Sequence, residues 1–239
     1  TSSSRDPFLN LERAPDLRTD LLSLKLECMA WLNQTAQLDE VTRLLHEIPL
    51  SIRLGLLEGF AARLPQQPPA VRKHLASSLA AVFQDLPQGW PTVALEARPR
   101  LGLAYAHLLI MAGMELDALE WLSQLAREFP EAGDIQEEFA ILLSRQRETK
   151  YRQEALERFR TIARHSPEAS PRWFRAKYMT AWLHLQLGDP ARALEVIRVL
   201  ETIHPDLGGG ELRDRFLRLK DLCERQVVGS NQTQTGGTR

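Results

Sequence analysis

The sequence predicts an all-α chain built of successive antiparallel helix pairs, on three observations. Apolar residues recur at three- and four-residue spacing almost everywhere between about residue 20 and residue 226. The same stretch lacks the sustained period-two alternation that marks a half-buried strand. Prolines then close many of the apolar runs, at Pro49, Pro65, Pro87, Pro130, Pro167 and Pro205, where a missing N–H and a fixed φ stop a helix.

The first helix is expected to begin at Thr19 or Asp20 as N-cap and to carry Leu22, Leu26, Met29 and Leu32 on one face. A second carries Leu38, Val41, Leu45 and Ile48 and stops at Pro49. A third runs from about Ser51 through Leu56 and Phe60 to Pro65. A fourth opens at Pro68-Pro69, carries Val71, Leu75, Leu79, Val82 and Leu86, and ends at Pro87. Gly89 to Pro99 reads as a connector, because proline closes it at both ends.

From Pro99 onward the pairs repeat. Gly113, Ala118 and Pro130 recur as Gly188, Ala193 and Pro205, and a middle copy keeps Ala155 and Pro167 but has Lys150 at the glycine position. The three prolines are 37 and 38 residues apart. Each residue type has a physical task. Glycine tolerates the backbone angles of a tight turn, and small side chains such as Ala106 with Ala118, or Ala181 with Ala193, let two helix axes approach. Proline ends the second helix of each pair. Leu109, Leu122, Leu125, Phe139, Leu142, Phe159, Ile162, Ile197 and Leu200 are the expected core.

These residues resemble the tetratricopeptide repeat (TPR) family. Gly188-Asp189-Pro190-Ala191-Arg192-Ala193-Leu194, with Pro205 twelve residues after Ala193, is similar to that family's turn and second helix; Gly113 to Pro130 and Tyr151 to Pro167 are weaker copies. The family's early tryptophan is replaced by Gly102, Phe139 and Lys177, and its small first-helix residue by Leu143 in the middle copy. The resemblance implies a right-handed α-solenoid, a TPR-like superhelix, with three units at 99–132, 136–169 and 174–207. Residues 19–98 read as divergent helical repeats and 1–18 as an N-terminal extension. Glu211 to Gln226 read as a C-terminal capping helix with Leu212, Phe216, Leu219 and Leu222 inward, and 227–239 as a disordered tail.

Composition bounds the function. The 239 residues are 44% hydrophobic and 26% charged, with a formal net charge of −1, so no global charge excess marks a nucleic-acid or membrane binder. The longest apolar stretches, such as Leu108 to Ala112, fall far short of the roughly 20 residues that span a bilayer. Cys28 and Cys223 sit in helical apolar patterns and read as small buried hydrophobes, with no zinc site. The chain opens Thr1-Ser2-Ser3-Ser4 without an initiator methionine, which suggests a processed or truncated product. The triplets beginning at Asn33 and Asn231 have glycosylation spacing, a pattern common by chance.

Catalytic constellations are not apparent. His46, His74, His107, His165, His184 and His204 have no metal-ligand spacing, and phosphate-cradling and nucleophile-elbow motifs are missing. No catalysis, no metal and no cofactor is therefore expected. The resemblance instead implies a concave surface lined by the first helix of each pair, which transfers to Leu103, His107, Ile110 and Met111, to Ala140, Ser144 and Arg147, and to Tyr178, Trp182, Leu185 and Gln186, with Arg175 beside them. The expected partner is a peptide or helix of another protein; Trp182 reads equally as groove anchor or core. The alternative is an acidic ligand or nucleic acid. Arg145 to Lys177 holds ten basic residues against four acidic ones, whereas Pro99 to Ile135 holds two basic and six acidic. Tyr151, Trp173 and Phe174 are available for stacking. A third reading is a structural domain of a larger protein.

Overall fold

The computed structural model describes residues 15–32 and 35–235. Every regular element among them is helical: α1 (Pro15–Trp31), α2 (Thr35–His46), α3 (Leu50–Arg63), α4 (Pro69–Val82), the four-residue α5 (Leu86–Gly89), α6 (Arg98–Ala112), α7 (Glu115–Glu128), α8 (Gly133–Arg145), α9 (Thr149–His165), α10 (Pro171–Gln186), α11 (Pro190–Ile203) and α12 (Gly210–Thr235). Short 3-10 turns lie at Leu64–Gln66 and Trp90–Thr92. No helix is long and apolar enough, among the described residues, to cross a membrane.

The helix ends follow from the local sequence. Proline occupies the first turn of α4, α6, α10 and α11, where its missing N–H costs nothing. The Ser170 hydroxyl accepts a hydrogen bond from the Trp173 amide (3.2 Å), and the Asp189 carboxylate accepts one from the Arg192 amide (3.0 Å), capping α10 and α11. Gly113 and Gly188 both stand at φ +82° after α6 and α10, the left-handed stop that leaves only a two- or three-residue link before the next helix.

The chain divides into two compact units, one ending at Phe129 and the other beginning at Pro130. In the first, α1 packs on α2, α3 and α4, α6 lies on α3 and α4, and α7 packs on α6. Its interior holds a buried cation: Arg53 donates to the carbonyls of Ile48 (2.7 Å) and Val82 and to the Asp85 carboxylate (2.6 Å). Burial alone would raise the Asp85 carboxyl, but Arg53 holds it below the usual range. Gly102 is buried where Trp90, Tyr105 and Trp121 meet edge to face, at 4.7 Å for Trp90 with Trp121 and 5.3 Å for Tyr105 with Trp121. The Trp121 indole donates to the Gly102 carbonyl (2.9 Å). The missing side chain at Gly102 thus leaves room for Trp90 and Leu125.

In the second unit α9 packs on α8 and α10, α11 on α10, and α12 on α11 and α10. Ala181, Ala193, Ile197, Leu200, Phe216, Leu219 and Cys223 form one cluster there. The expected core residues Leu109, Leu122, Leu125, Phe139, Leu142, Phe159, Ile162, Ile197 and Leu200 are all buried, as are Ala106, Ala118, Ala155, Ala181 and Ala193.

Several expectations are corrected. Helix α1 starts at Pro15, so Thr19 and Asp20 lie inside it; proline, not a polar cap, opens the helix. Leu32 and Cys28 are exposed, because the inward side of α1 follows Ser23, Leu26 and Ala30 and Cys28 sits two residues off that line. Leu86 belongs to α5, since α4 stops at Val82. In α12 the inward series is Leu212, Phe216, Leu219 and Cys223, four or three residues apart, which leaves Leu222 at 49% exposure. That helix continues past Gln226 to Thr235 where a disordered tail was expected; Val227 is half-buried and nothing in 227–235 is a proline. Asn33 and residues 1–14 and 236–239 lie outside the described residues.

Two substitutions test this packing. A methyl group at Gly102 would sit 2.7 Å from both terminal carbons of buried Leu125 and 3.2 Å from Trp90. Gly102→Ala should therefore destabilise by about 1–3 kcal/mol despite the ~1 kcal/mol that alanine gains in a helix. Gly188→Ala meets open space but must hold φ +82°, at a cost of about 1 kcal/mol. Urea midpoints read both.

Candidate functional site

Helix α10 presents three faces, and each does something different. Tyr178, Trp182 and Leu185, spaced i, i+4 and i+7, pack against the α10–α11–α12 cluster, with the Tyr178 ring 5.3 Å from Phe216. Arg172 and Arg175 reach α8, where they bracket the Glu137 carboxylate: Arg175 Nε to Oε1 is 2.6 Å and Arg172 Nε to Oε2 is 3.2 Å, while Arg172 also pairs with Asp134. Burial alone would raise the Glu137 carboxyl; the two guanidiniums hold it below the ordinary glutamate range, and Arg175 is raised in turn. The third face, Trp173, Lys177, Thr180 and His184, looks into a groove.

That groove is the candidate site. Its main cleft, about 800 Å³, has Arg160, Ala163 and Arg164 of α9 on one wall, Ser166 and Glu168 of the following link at one end, and Val196 of α11 opposite. An adjoining cleft of about 520 Å³ extends along α11 past Arg192, Glu195, Val199 and Ile203. Val199 and Ile203 are 52% and 59% exposed, an unusual surface for branched aliphatics. At the floor His184 is buried, and Arg160, whose guanidinium can only donate, donates a hydrogen bond to the His184 Nε2 at 3.1 Å. Desolvation first, and then the Arg160 charge, lower the His184 pKa, so the ring is neutral at pH 7. Trp173 stands edge-on to His204 at 5.3 Å, with Lys177 Nζ 5.2 Å from its ring centre.

The charges are unequal along the groove. Arg160 is matched by Glu157 (2.6 Å) and Arg192 by Asp189 (3.2 Å), and Glu168 faces His204 (3.3 Å). Among the described residues Arg164 bonds the Thr161 hydroxyl (3.0 Å) and Lys177 meets the Trp173 face, so two cations on the α9–α10 side have no carboxylate partner there. The α9–α10 wall thus carries an excess of cations, with Glu157 taken up by Arg160, and the α11 wall is mainly apolar, with Arg192 and Glu195 on it.

The residues that the resemblance transferred lie elsewhere. Leu103, His107, Ile110 and Met111 are half-buried along α6 in the first unit. Ala140 and Ser144 are buried in α8 and line no surface; Arg147 and Gln186 are exposed. Trp182, Tyr178 and Leu185 pack on the core cluster, and Arg175 is held by Glu137. Five of the ten Arg145–Lys177 cations, Lys150, Arg158, Arg160, Arg172 and Arg175, are taken up in ion pairs. Arg158 pairs with Glu154 (2.9 Å) over the Phe139 ring, and Lys150 with Glu148 (2.8 Å). Arg172 and Arg175 take acidic partners from α8, outside the run. The groove's apolar wall was nonetheless visible in sequence as a second stripe on α11, Val196, Val199 and Ile203, beside the inward stripe Ala193, Ile197 and Leu200.

Comparison with family models, with curated proteins and with solved structures gives no match to the chain. Among the described residues no group of three or more His, Cys, Asp or Glu side chains is placed to hold a metal ion.

Glu137 gives a pH test. Its folded pKa lies below the ordinary value of 4.5, so the stability it contributes is fully present above that value and is lost as pH falls through the folded pKa. Glu137→Gln should be less stable than the parent at pH 7, and the gap should close towards pH 3, measured by urea unfolding at each pH.

Proposed function

We propose that the chain is a non-enzymatic interaction module, a TPR-like α-solenoid that holds a segment of a partner protein against its helical surface. The observation that carries the reading is the groove of α9, α10 and α11, where Trp173 lies between an apolar wall with exposed Val199 and Ile203 and a cationic wall. Exposed branched aliphatics beside an aromatic, rimmed by charge, are the composition of a binding surface. The left-handed stops at Gly113 and Gly188, the buried alanines and the three successive short-linked pairs support the repeat reading.

The groove differs in place from the concave first-helix surface that the resemblance implied. It lies on the side where second helices α9 and α11 flank α10. The alternative of a nucleic acid on Arg145 to Lys177 has less support, since half of its eight arginines, Arg158, Arg160, Arg172 and Arg175, are engaged with Glu154, Glu157 and Glu137.

Capture of partners by immobilised chain, with nuclease present, tests the reading. Val199→Asp and Ile203→Asp change exposed side chains and should leave circular dichroism intact while reducing recovery of a bound protein at least tenfold. Trp173→Ala should do the same, since truncating an aromatic anchor costs about 2 kcal/mol or more. Recovery unaffected by all three substitutions would remove the groove from the account.

A further inference from the structure

We infer that the groove of α9, α10 and α11 selects an amphipathic peptide segment, one face aliphatic and the other acidic. The inference rests on the groove being a protein-binding site and adds the chemistry of its occupant.

The two walls of the groove are complementary to different chemistry. On the α11 side, Val196, Val199 and Ile203 repeat at i, i+3 and i+7, which makes a continuous apolar ridge along the helix and not scattered surface aliphatics. A segment that covers this ridge must itself offer aliphatic side chains at one- or two-turn spacing. On the facing side, Arg164 rests on the Thr161 hydroxyl and Lys177 on the Trp173 indole face, and neither has a carboxylate partner among the described residues. Arg160 is only partly engaged by Glu157, being shared with neutral His184.

A basic segment would place its charges against these cations in a partly desolvated cleft, where like charges oppose binding. An acidic one gives Arg164 and Lys177 the partners they lack. Three carboxylates also line the groove: Glu157 is taken up by Arg160 (2.6 Å) and Glu168 faces His204 (3.3 Å), whereas Glu195 stands on the apolar wall, one residue from Val196. A segment's acidic side chains are therefore better placed on the α9–α10 side, against Arg164 and Lys177, than beside Glu195. The segment's orientation about its own axis is therefore specified: aliphatic side to α11, carboxylates to α9 and α10. The width fits a single segment, since a cleft of about 800 Å³ with an extension of about 520 Å³ takes a few helical turns and not a folded domain.

Three synthetic 16-residue peptides test it, identical in leucines at i, i+3, i+4 and i+7 and differing only in the opposite face: all glutamate, all glutamine or all lysine. Fluorescence polarisation with the full chain should show the glutamate peptide binding at least tenfold more tightly than the glutamine peptide, with the lysine peptide weakest. The double variant Arg164→Glu, Lys177→Glu changes surface side chains and should reverse the order of the glutamate and lysine peptides, with circular dichroism unchanged. Equal binding of all three peptides, abolished by Ile203→Asp, overturns the acidic preference and leaves the groove reading standing. Binding by none of them, or binding indifferent to Ile203→Asp, overturns the inference together with the groove reading.

Discussion

A pair of amphipathic helices joined by a short turn buries one side of each helix and leaves apolar surface that only a further helix covers. The second unit is organised by that constraint. Helix α10 lies between α9 and α11 and presses Tyr178, Trp182 and Leu185 towards the cluster completed by Phe216, Leu219 and Cys223 of α12. Lys220 with Glu201 (2.6 Å) and Arg198 with Glu224 (3.3 Å) rim the α11–α12 contact. Such exposed pairs are worth at most about 1 kcal/mol each, so apolar burial carries the contact and the pairs set its register. The side of α10 that remains, between α9 and α11, has no covering element among the described residues, and there the groove forms.

The charges tell a parallel story. A run with ten basic and four acidic residues looks like a ligand surface when counted along the chain. In three dimensions Glu137 and Asp134 of α8 come against Arg172 and Arg175 of α10, about 38 residues later, and turn much of the excess into ion pairs between helices. Among the cations of the run that this pairing does not use, Arg164 and Lys177 are the two that line the groove.

The helices, the turn glycines and nearly all of the core were legible in the sequence, because a 3.6-residue period, a glycine stop and a proline start act locally. Gly188 at φ +82° and buried Ala193 are instances. The site was harder to read for a physical reason. Which side of a first helix stays open depends on where the neighbouring second helices pack, and residue type alone does not say. Trp182 is an aromatic on a first helix, yet α11 and α12 draw it towards the cluster; Trp173, nine residues earlier and on the other side of α10, meets the groove. The stripe Val196, Val199 and Ile203 was a readable sign, since α11 carried more apolar positions than a single inward face needs. Cys28 and Leu222 failed in the opposite sense: each sits in an apolar pattern one or two residues off the line that packs.

The central claim is that ligand recognition belongs to the side of α10 that faces α9 and α11. Amide shift mapping by NMR, with the labelled chain titrated with the glutamate-faced peptide, tests it most directly. The account predicts perturbations concentrated at Arg164, Trp173, Lys177, Val199 and Ile203. Perturbations concentrated instead at Leu103, His107, Ile110 and Met111 would contradict it and return recognition to the first-helix face of α6.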